Sequence, residues 1–238
     1  MPSAQTRNRL LASLSPKDFE LLQAKLEPIE LPVRFALERP ATPIEHVYFP
    51  ESGIASVVAV QSHNTPVEVG LIGSEGMTGL PVLLGDEQTP NNTYMQVSGH
   101  GLRIASDALR KAVAKNASIQ NTLLRFVQSF LVQTSHTAIA NARARLDERL
   151  ARWILMAHDR TGTATIPLTH EFLALMLGVR RAGVTETLQA LVKKGSIKSA
   201  RGEVTVLDRA GLEQIASNCY GGPEAEYRRL FRRARARN

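Results

Sequence analysis

Leu168-Thr-His-Glu-Phe-Leu-Ala-Leu-Met-Leu-Gly178-Val-Arg-Arg-Ala-Gly-Val-Thr-Glu-Thr-Leu-Gln-Ala-Leu-Val192-Lys-Lys-Gly-Ser-Ile197 is the stretch that decides how this chain folds. Thr169 carries the hydroxyl of a good helix N-cap, and Glu171 places an acid in the first turn, where the helix dipole favours it. Phe172, Leu173, Met176 and Leu177 then form an apolar face. Gly178 interrupts, and glycine can take the left-handed conformation that a sharp turn needs. Val184, Leu188, Leu191 and Val192 recur at helical spacing and make a second apolar face, which Gly195 closes. Two short helices about a glycine-containing turn spell a helix-turn-helix. Two residues run against the pattern: Arg180 is a poor N-cap, and Gly183 costs on the order of 1 kcal/mol relative to Ala inside a helix. A glycine there also permits a close backbone approach.

In such a motif the first helix braces the second, which lies in the DNA major groove with its N-terminal residues on base edges. The outward residues of the second helix are Arg180, Arg181, Thr185, Glu186 and Gln189. Arg can bond guanine O6 and N7, Glu can accept from cytosine N4, and Gln can pair with adenine. Ile197 to Val206 reads as a β-hairpin turning at Ala200-Arg201-Gly202-Glu203, and a hairpin directly after a helix-turn-helix is a wing. Lys198 and Arg201 could meet phosphates there. Asp208 caps a last helix carrying Leu212 and Ile215. A helical hairpin with a solvated polar face would fit the first motif alone; the wing argues for DNA.

Upstream the period is two. Ile29 to Ile104 reads as short strands separated by Gly and Pro: Ile44–Phe49, Ile54–Val60, Val67–Ile72, Thr93–Val97 and Gly101–Ile104. Pro50-Glu-Ser-Gly53 and Ser62–Pro66 supply turns. That spacing predicts a barrel or sandwich rather than a βαβ sheet. A helix capped by Ser15 is predicted over Pro16–Leu26. From Ser118 to Ala144 there is neither Gly nor Pro, and Ile119, Leu123, Phe126, Phe130, Thr134 and Thr137 recur at helical spacing. This long helix either packs on its own domain or pairs with a second copy; its place between two domains favours the seam. Asp147–His158 is another amphipathic helix, ended by Asp159–Thr163. The tail Glu224–Asn238 holds Arg228, Arg229, Arg232, Arg233, Arg235 and Arg237, a run expected to be disordered or to touch phosphate.

With 238 residues and 43% hydrophobic content the chain can bury a core of one or two domains. A net charge of +7 favours polyanionic partners. No apolar run reaches the roughly 20 residues of a membrane span, and Met1–Arg9 lacks a signal peptide's apolar stretch, so a cytoplasmic protein without membrane contact is expected. The single cysteine, Cys219, rules out an intramolecular disulfide and a cysteine-ligated iron–sulfur cluster or zinc site; an inert thiol is expected there. His46, His63, His100 and His136 are scattered. They are expected to be surface or structural histidines, although haem is not excluded.

A strand-rich domain, a long helix, a Thr-capped helix-turn-helix and a wing, in that order, resemble the cyclic-AMP receptor / fumarate–nitrate regulator (Crp–Fnr) family over about Leu14 to Ser217. The resemblance implies an α+β chain: a tail at 1–14, a β-roll sensor at 15–117, a dimerisation helix at 118–145, a winged helix-turn-helix at 146–222 and an Arg-rich tail at 223–238. It implies a homodimer on a pseudo-palindromic double-stranded DNA site near promoters, with RNA polymerase and an unidentified small-molecule effector as further partners. The candidate DNA-binding set is Thr169, His170, Arg180, Arg181, Ala182, Thr185, Glu186, Gln189, Lys198 and Arg201. The family's base-reading Arg, Glu and Arg align with Arg181, Ala182 and Glu186, so only one matches and a different DNA sequence is expected. The family's cyclic-nucleotide sensors need a Gly-Glu in the phosphate loop and an Arg opposite the cyclic phosphate. Here the loop reads Gly76-Met77-Thr78-Gly79-Leu80, and the Arg position falls near Asn91, Asn92 and Thr93. A buried phosphate without its charge partner is costly, so cyclic AMP binding is not expected and no cofactor is called for.

Other classes fit less well. No Gly-x-Ser-x-Gly, Gly-Lys-Ser/Thr loop or His-Glu-x-x-His marks an enzyme. A non-specific architectural DNA-binding protein would account for the arginines but not for a groove-reading helix. A sensor or adaptor whose helix-turn-helix binds protein stays open.

Overall fold

A computed structural model describes residues 6–60 and 66–232. His63, most of the turn expected at 62–66 and Arg233, Arg235 and Arg237 lie outside the described residues. The chain opens with two helices the N-caps explain: α1 (Arg9–Ala12), where the Asn8 side chain accepts from Leu11 N, and α2 (Pro16–Gln23), where Ser15 accepts from Asp18 N. The predicted helix from Pro16 therefore ends three residues early, and α1 was not foreseen.

The N-terminal half, called the sensor half after the role expected of it, follows as β1 (Glu27–Leu31), β2 (Ala36–Glu38), β3 (His46–Pro50), β4 (Ile54–Ala59), β5 (Val67–Ile72), α3 (Leu80–Leu84), β6 (Asn92–Val97), β7 (Gly99–Ala105) and α4 (Ser106–Lys115). The strands form two antiparallel sheets, ordered β1-β7-β3 and β2-β6-β4-β5. Leu31, Val47, Phe49 and Ile104 of the first sheet share one core with Leu37, Ala55, Val57, Ile72 and Met95 of the second. The outer face of the second sheet is also covered: Ile54, Leu71 and Val97 pack with residues of the C-terminal half. Burial on both faces is why Ile54–Val60 reads as a continuous apolar run rather than an alternating one.

Helix α5 (Ala117–Arg143) is capped by Asn116 and, at 27 residues, is about 40 Å long. Four residues expected at a dimer seam are not there. Ile119, Leu123, Phe126 and Phe130 are buried in the sensor core of their own chain. Thr137 accepts a hydrogen bond from buried Arg152 at 3.0 Å, and the half-buried Thr134 hydroxyl turns back onto Leu131 O at 2.9 Å. The large apolar residues were the natural choice for a seam, and the sensor claims them. The opposite face stays exposed.

The C-terminal half comprises α6 (Leu146–Thr161), β8 (Thr165–Pro167), α7 (His170–Leu177), α8 (Arg181–Lys193), β9 (Ile197–Ala200), β10 (Glu203–Val206), α9 (Arg209–Ala216) and α10 (Gly222–Phe231). The predicted hairpin is present with Glu203 opposite Ala200, and β8 adds an unforeseen third strand, in the order β8-β10-β9. The tail is a correction as to its fold. Over Gly222–Phe231 it is not disordered but a helix: Tyr227 and Phe231 pack on the N-terminal core, the Tyr227 hydroxyl donates to Glu75 O at 3.0 Å, and Arg228 and Arg229 stay exposed. The arginines masked an apolar pair at i and i+4, the spacing that puts both side chains on one helix face.

Buried polar contacts join the halves: Arg160 of α6 pairs with Glu75 at 2.8 Å, and a second buried carboxyl lies beside them. Glu68 on β5 is buried, accepts from Trp153 Nε1 at 2.7 Å and from Ser56 Oγ at 2.7 Å, and has Arg152 and Arg160 of α6 nearby. Burial pushes its carboxyl up to about 7, against the pull of those hydrogen bonds and cations. The unfolded carboxyl titrates at about 4.3, so between these values the unfolded chain releases a proton that the folded chain keeps. The contribution of this group to stability is therefore fullest at low pH and is lost as pH rises from about 4.3 through 7, by up to roughly 4 kcal/mol. Glu68→Gln keeps acceptor and shape; denaturant titrations at several pH values should show this slope flattened, and an unchanged slope would place the proton elsewhere.

Candidate nucleic-acid interface

Helix α7 begins at the cap read from sequence: Thr169 Oγ1 accepts from Phe172 N at 3.2 Å. Gly178 ends it at φ +62, with Val179 N donating back to Ala174 O, so the turn uses the left-handed conformation glycine supplies. The Arg149 guanidinium also donates to Leu177 O, tying the motif to α6. Helix α8 starts at Arg181 with no side-chain cap from Arg180, as its sequence implied. A methyl group on Gly183 would stand 3.3 Å from Leu146, so this glycine lets α8 lie close against the start of α6. Val184, Leu188 and Leu191 are buried there, whereas Val192 is 41% exposed.

The other face of α8 is free. Arg180, Arg181, Ala182, Glu186 and Gln189 are all exposed. Among the described residues the Arg180, Arg181, Glu186 and Gln189 side chains make no ion pair or hydrogen bond. Lys198 on β9 and Arg201 in the wing turn are exposed likewise. Three other members of the candidate set already have internal work. Thr169 is the cap, and His170 Nδ1 lies 3.0 Å from Thr185 Oγ1, which also donates to Arg181 O. They fix the angle between α7 and α8 and leave the readers unencumbered. An exposed helix start bearing two guanidinium groups, beside a cationic wing, presents charge to phosphate and donors to base edges.

The residues suspected around an effector come together only in part: the loop and β6 meet on Glu38, and Asn92 and Thr93 line a cleft. Gly76 faces Phe126 so closely that a side chain there would clash, and Met77 is buried in the sensor core. Asn91 N bonds the Thr89 hydroxyl, and Asn92 opens β6. Thr93 is buried, its hydroxyl donating to Glu38 Oε2 at 3.0 Å while Glu38 Oε1 accepts from Gly79 N at 2.5 Å. Burial raises the Glu38 carboxyl above its ordinary value. Glu38 was invisible to motif reading because its partners lie about 40 and 55 residues away. His46 lies 6.3 Å from Tyr48, His100 Nδ1 is 2.9 Å from Ser52 Oγ, and His136 abuts Gly222, so these three are dispersed. Burial raises the Cys219 thiol, which leaves less thiolate near neutral pH.

A two-sheet domain, a long helix and a winged helix-turn-helix with an uncommitted cationic face define a winged-helix protein. The comparisons with known proteins narrow that class. Residues 148–215 match the family model of the Crp-like helix-turn-helix domain. The transcriptional regulator SdrP of Thermus thermophilus is 23% identical over 184 residues, covering 74% of this chain and 86% of that protein. FixK2 of Bradyrhizobium japonicum shares the fold at a TM-score of 0.70 and 15% identity, over 81% of this chain and 98% of FixK2. A CRP/FNR-family transcriptional regulator of Thermus thermophilus, TTHA1359, gives 0.64 and 20%, over 80% and 98%. Residues 148–215 thus form a Crp-like helix-turn-helix domain, and the chain as a whole shares the fold of these Crp/Fnr-family structures. Among the described residues no helix is long and apolar enough to cross a membrane.

Arg181→Ala should weaken binding to a preferred duplex by about 1–3 kcal/mol and relax selectivity at one base pair, whereas Lys198→Ala should weaken all duplexes alike and lower the salt slope by about 1. Fluorescence anisotropy against single-base variants of the site separates the two; equal losses on every duplex for Arg181→Ala would remove it from the reading set.

Proposed function

We propose that the chain works as a homodimer that reads a pseudo-palindromic DNA site and does not answer to cyclic AMP. The observation that carries the DNA part is the uncommitted Arg180, Arg181, Glu186 and Gln189 on one face of α8, fixed in place by the His170–Thr185 contact. Arg181 is the residue expected to contact guanine, with Ala182 beside it. The remaining positions set a site unlike the family's usual one.

The dimer reading moves to the opposite face of α5. Leu124, Gln128, Leu131, Ser135, Ala138 and Ala142 recur at alternating steps of four and three, the spacing of a coiled-coil seam. All but half-buried Leu124 are exposed, and Leu131 and neighbouring Ile139 are 54% and 56% exposed. Small residues at the C-terminal end let two helices approach closely near the DNA-binding domains. Pairing there would set two α8 helices about one DNA turn apart, roughly 34 Å. RNA polymerase is a natural further partner for a regulator bound near a promoter.

Three features support indifference to cyclic AMP. Met77 has no ribose-holding carboxylate and is sealed in the core. Gly79 N and the Thr93 hydroxyl, donors an anion could use, are taken by Glu38. A second carboxylate next to a phosphate would add repulsion. Isothermal titration with cyclic AMP should give no heat at micromolar concentrations, and a saturable heat would reverse this assignment.

The test of the whole reading is selection of bound duplexes from a randomised pool, at moderate salt and without added ligand. The wild-type chain should enrich a two-fold site with half-sites about one turn apart. Leu131→Glu should sediment as a monomer and enrich half-sites at best. Retention without enrichment would favour architectural binding, and no retention would favour an adaptor.

A further inference from the structure

Between the outer face of β2 and β6 and the flank of α7 lies a cleft of about 1070 Å³. That is at the top of the range for small-molecule sites. Its walls come from both halves of the chain: Val33 and Tyr94 on the sensor side, Phe172, Leu175 and Val179 on the helix-turn-helix side. The lining is therefore largely apolar, and Val33 is 55% exposed within it.

One amide and two arginines stand among the lining residues. Gln96 is 7% exposed, and its side-chain amide meets the Ser56 hydroxyl, which donates to Glu68 Oε2. Arg34 and Arg39 stand exposed along the lining and make no ion pair among the described residues. Arg34 is also held at φ +68 by the bond from its N to Met95 O at 2.7 Å. Non-glycine residues at such φ persist where their surroundings over-determine them, and these cluster at ligand sites. Of the two acids in the lining, Glu38 has both oxygens turned to Gly79 and Thr93, and Glu171 sits at the exposed start of α7.

We propose that this cleft is the effector site of the regulator and that it takes an amphipathic organic acid. The apolar acyl or aryl body lies between sensor sheet and α7. The anionic head meets Arg34 and Arg39. The word effector rests on the regulatory reading above; the site itself does not. A ligand held by both walls changes how they sit together, which is the differential contact a two-state regulator needs. Gln96 also continues through Ser56 to Glu68 and on to Trp153 of α6, so occupancy is wired to a contact that joins the halves.

The test is a fluorescence titration of the full chain with 1-anilinonaphthalene-8-sulfonate, without DNA. One equivalent per chain should bind with a blue shift, and decanoate should displace it at least about tenfold more effectively than decanol, a difference of about 1.4 kcal/mol. Arg34→Glu and Arg39→Glu, both at exposed positions, should each weaken the probe about tenfold, while Lys111→Glu on the distant α4 should leave it unchanged. Several weak equivalents indifferent to both substitutions, or equal displacement by the alcohol, would overturn the proposal. A chain that binds the probe but enriches no duplex would keep the site and lose the regulatory reading; the reverse result would do the opposite.

Discussion

Two buried carboxyls of the sheet domain, Glu68 and Glu75, hold the C-terminal half to it: Glu75 through Arg160 of α6 at 2.8 Å, and Glu68 through Trp153. Glu68 sits on the outer face of the sensor sheet, where a strand would ordinarily show polar residues to water. Helix α6 covers that face, so the carboxyl must find partners inside or stay protonated. Trp153 and Ser56 provide them. Around this point Ile54, Leu71 and Val97 bury themselves against the C-terminal core. The contact gives the sensor a directional hold on the DNA-binding half, which apolar packing alone would not.

The same arrangement explains what each face of α5 does. One face completes the sensor core with Phe126 and Phe130, and a flank receives α10 and the Arg152–Thr137 bond. The remaining face keeps Leu131 and Ile139 exposed among small and polar residues.

The DNA-binding half was legible because its signals are local. Thr169, Gly178, Gly195 and Asp208 are caps and turns whose meaning is set within a few residues, and the structure keeps all four roles. The strand pattern was legible for the same reason. What failed was non-local. The seam assigned to Ile119, Leu123, Phe126 and Phe130 was a correct reading of an apolar stripe with the wrong owner, since periodicity shows that a face is buried and not by what. Tyr227 and Phe231 were hidden by the arginines around them. Glu38, Gln96 and Glu68 gain their meaning only from partners brought together by the sheets.

The docking of α10 has a topological consequence. Arg9, near one end of the described chain, lies over the ring of Tyr227, near the other, at 5.8 Å, and Tyr227 is anchored to Glu75 in the sensor. The polypeptide is thus closed on itself, like a belt buckled at the sensor. Neither half can swing far from the other while the buckle holds, so large excursions begin with its release. In hydrogen-exchange terms, α10 should be the first cooperative unit to open, and its opening should set the ceiling on how fast the rest can follow.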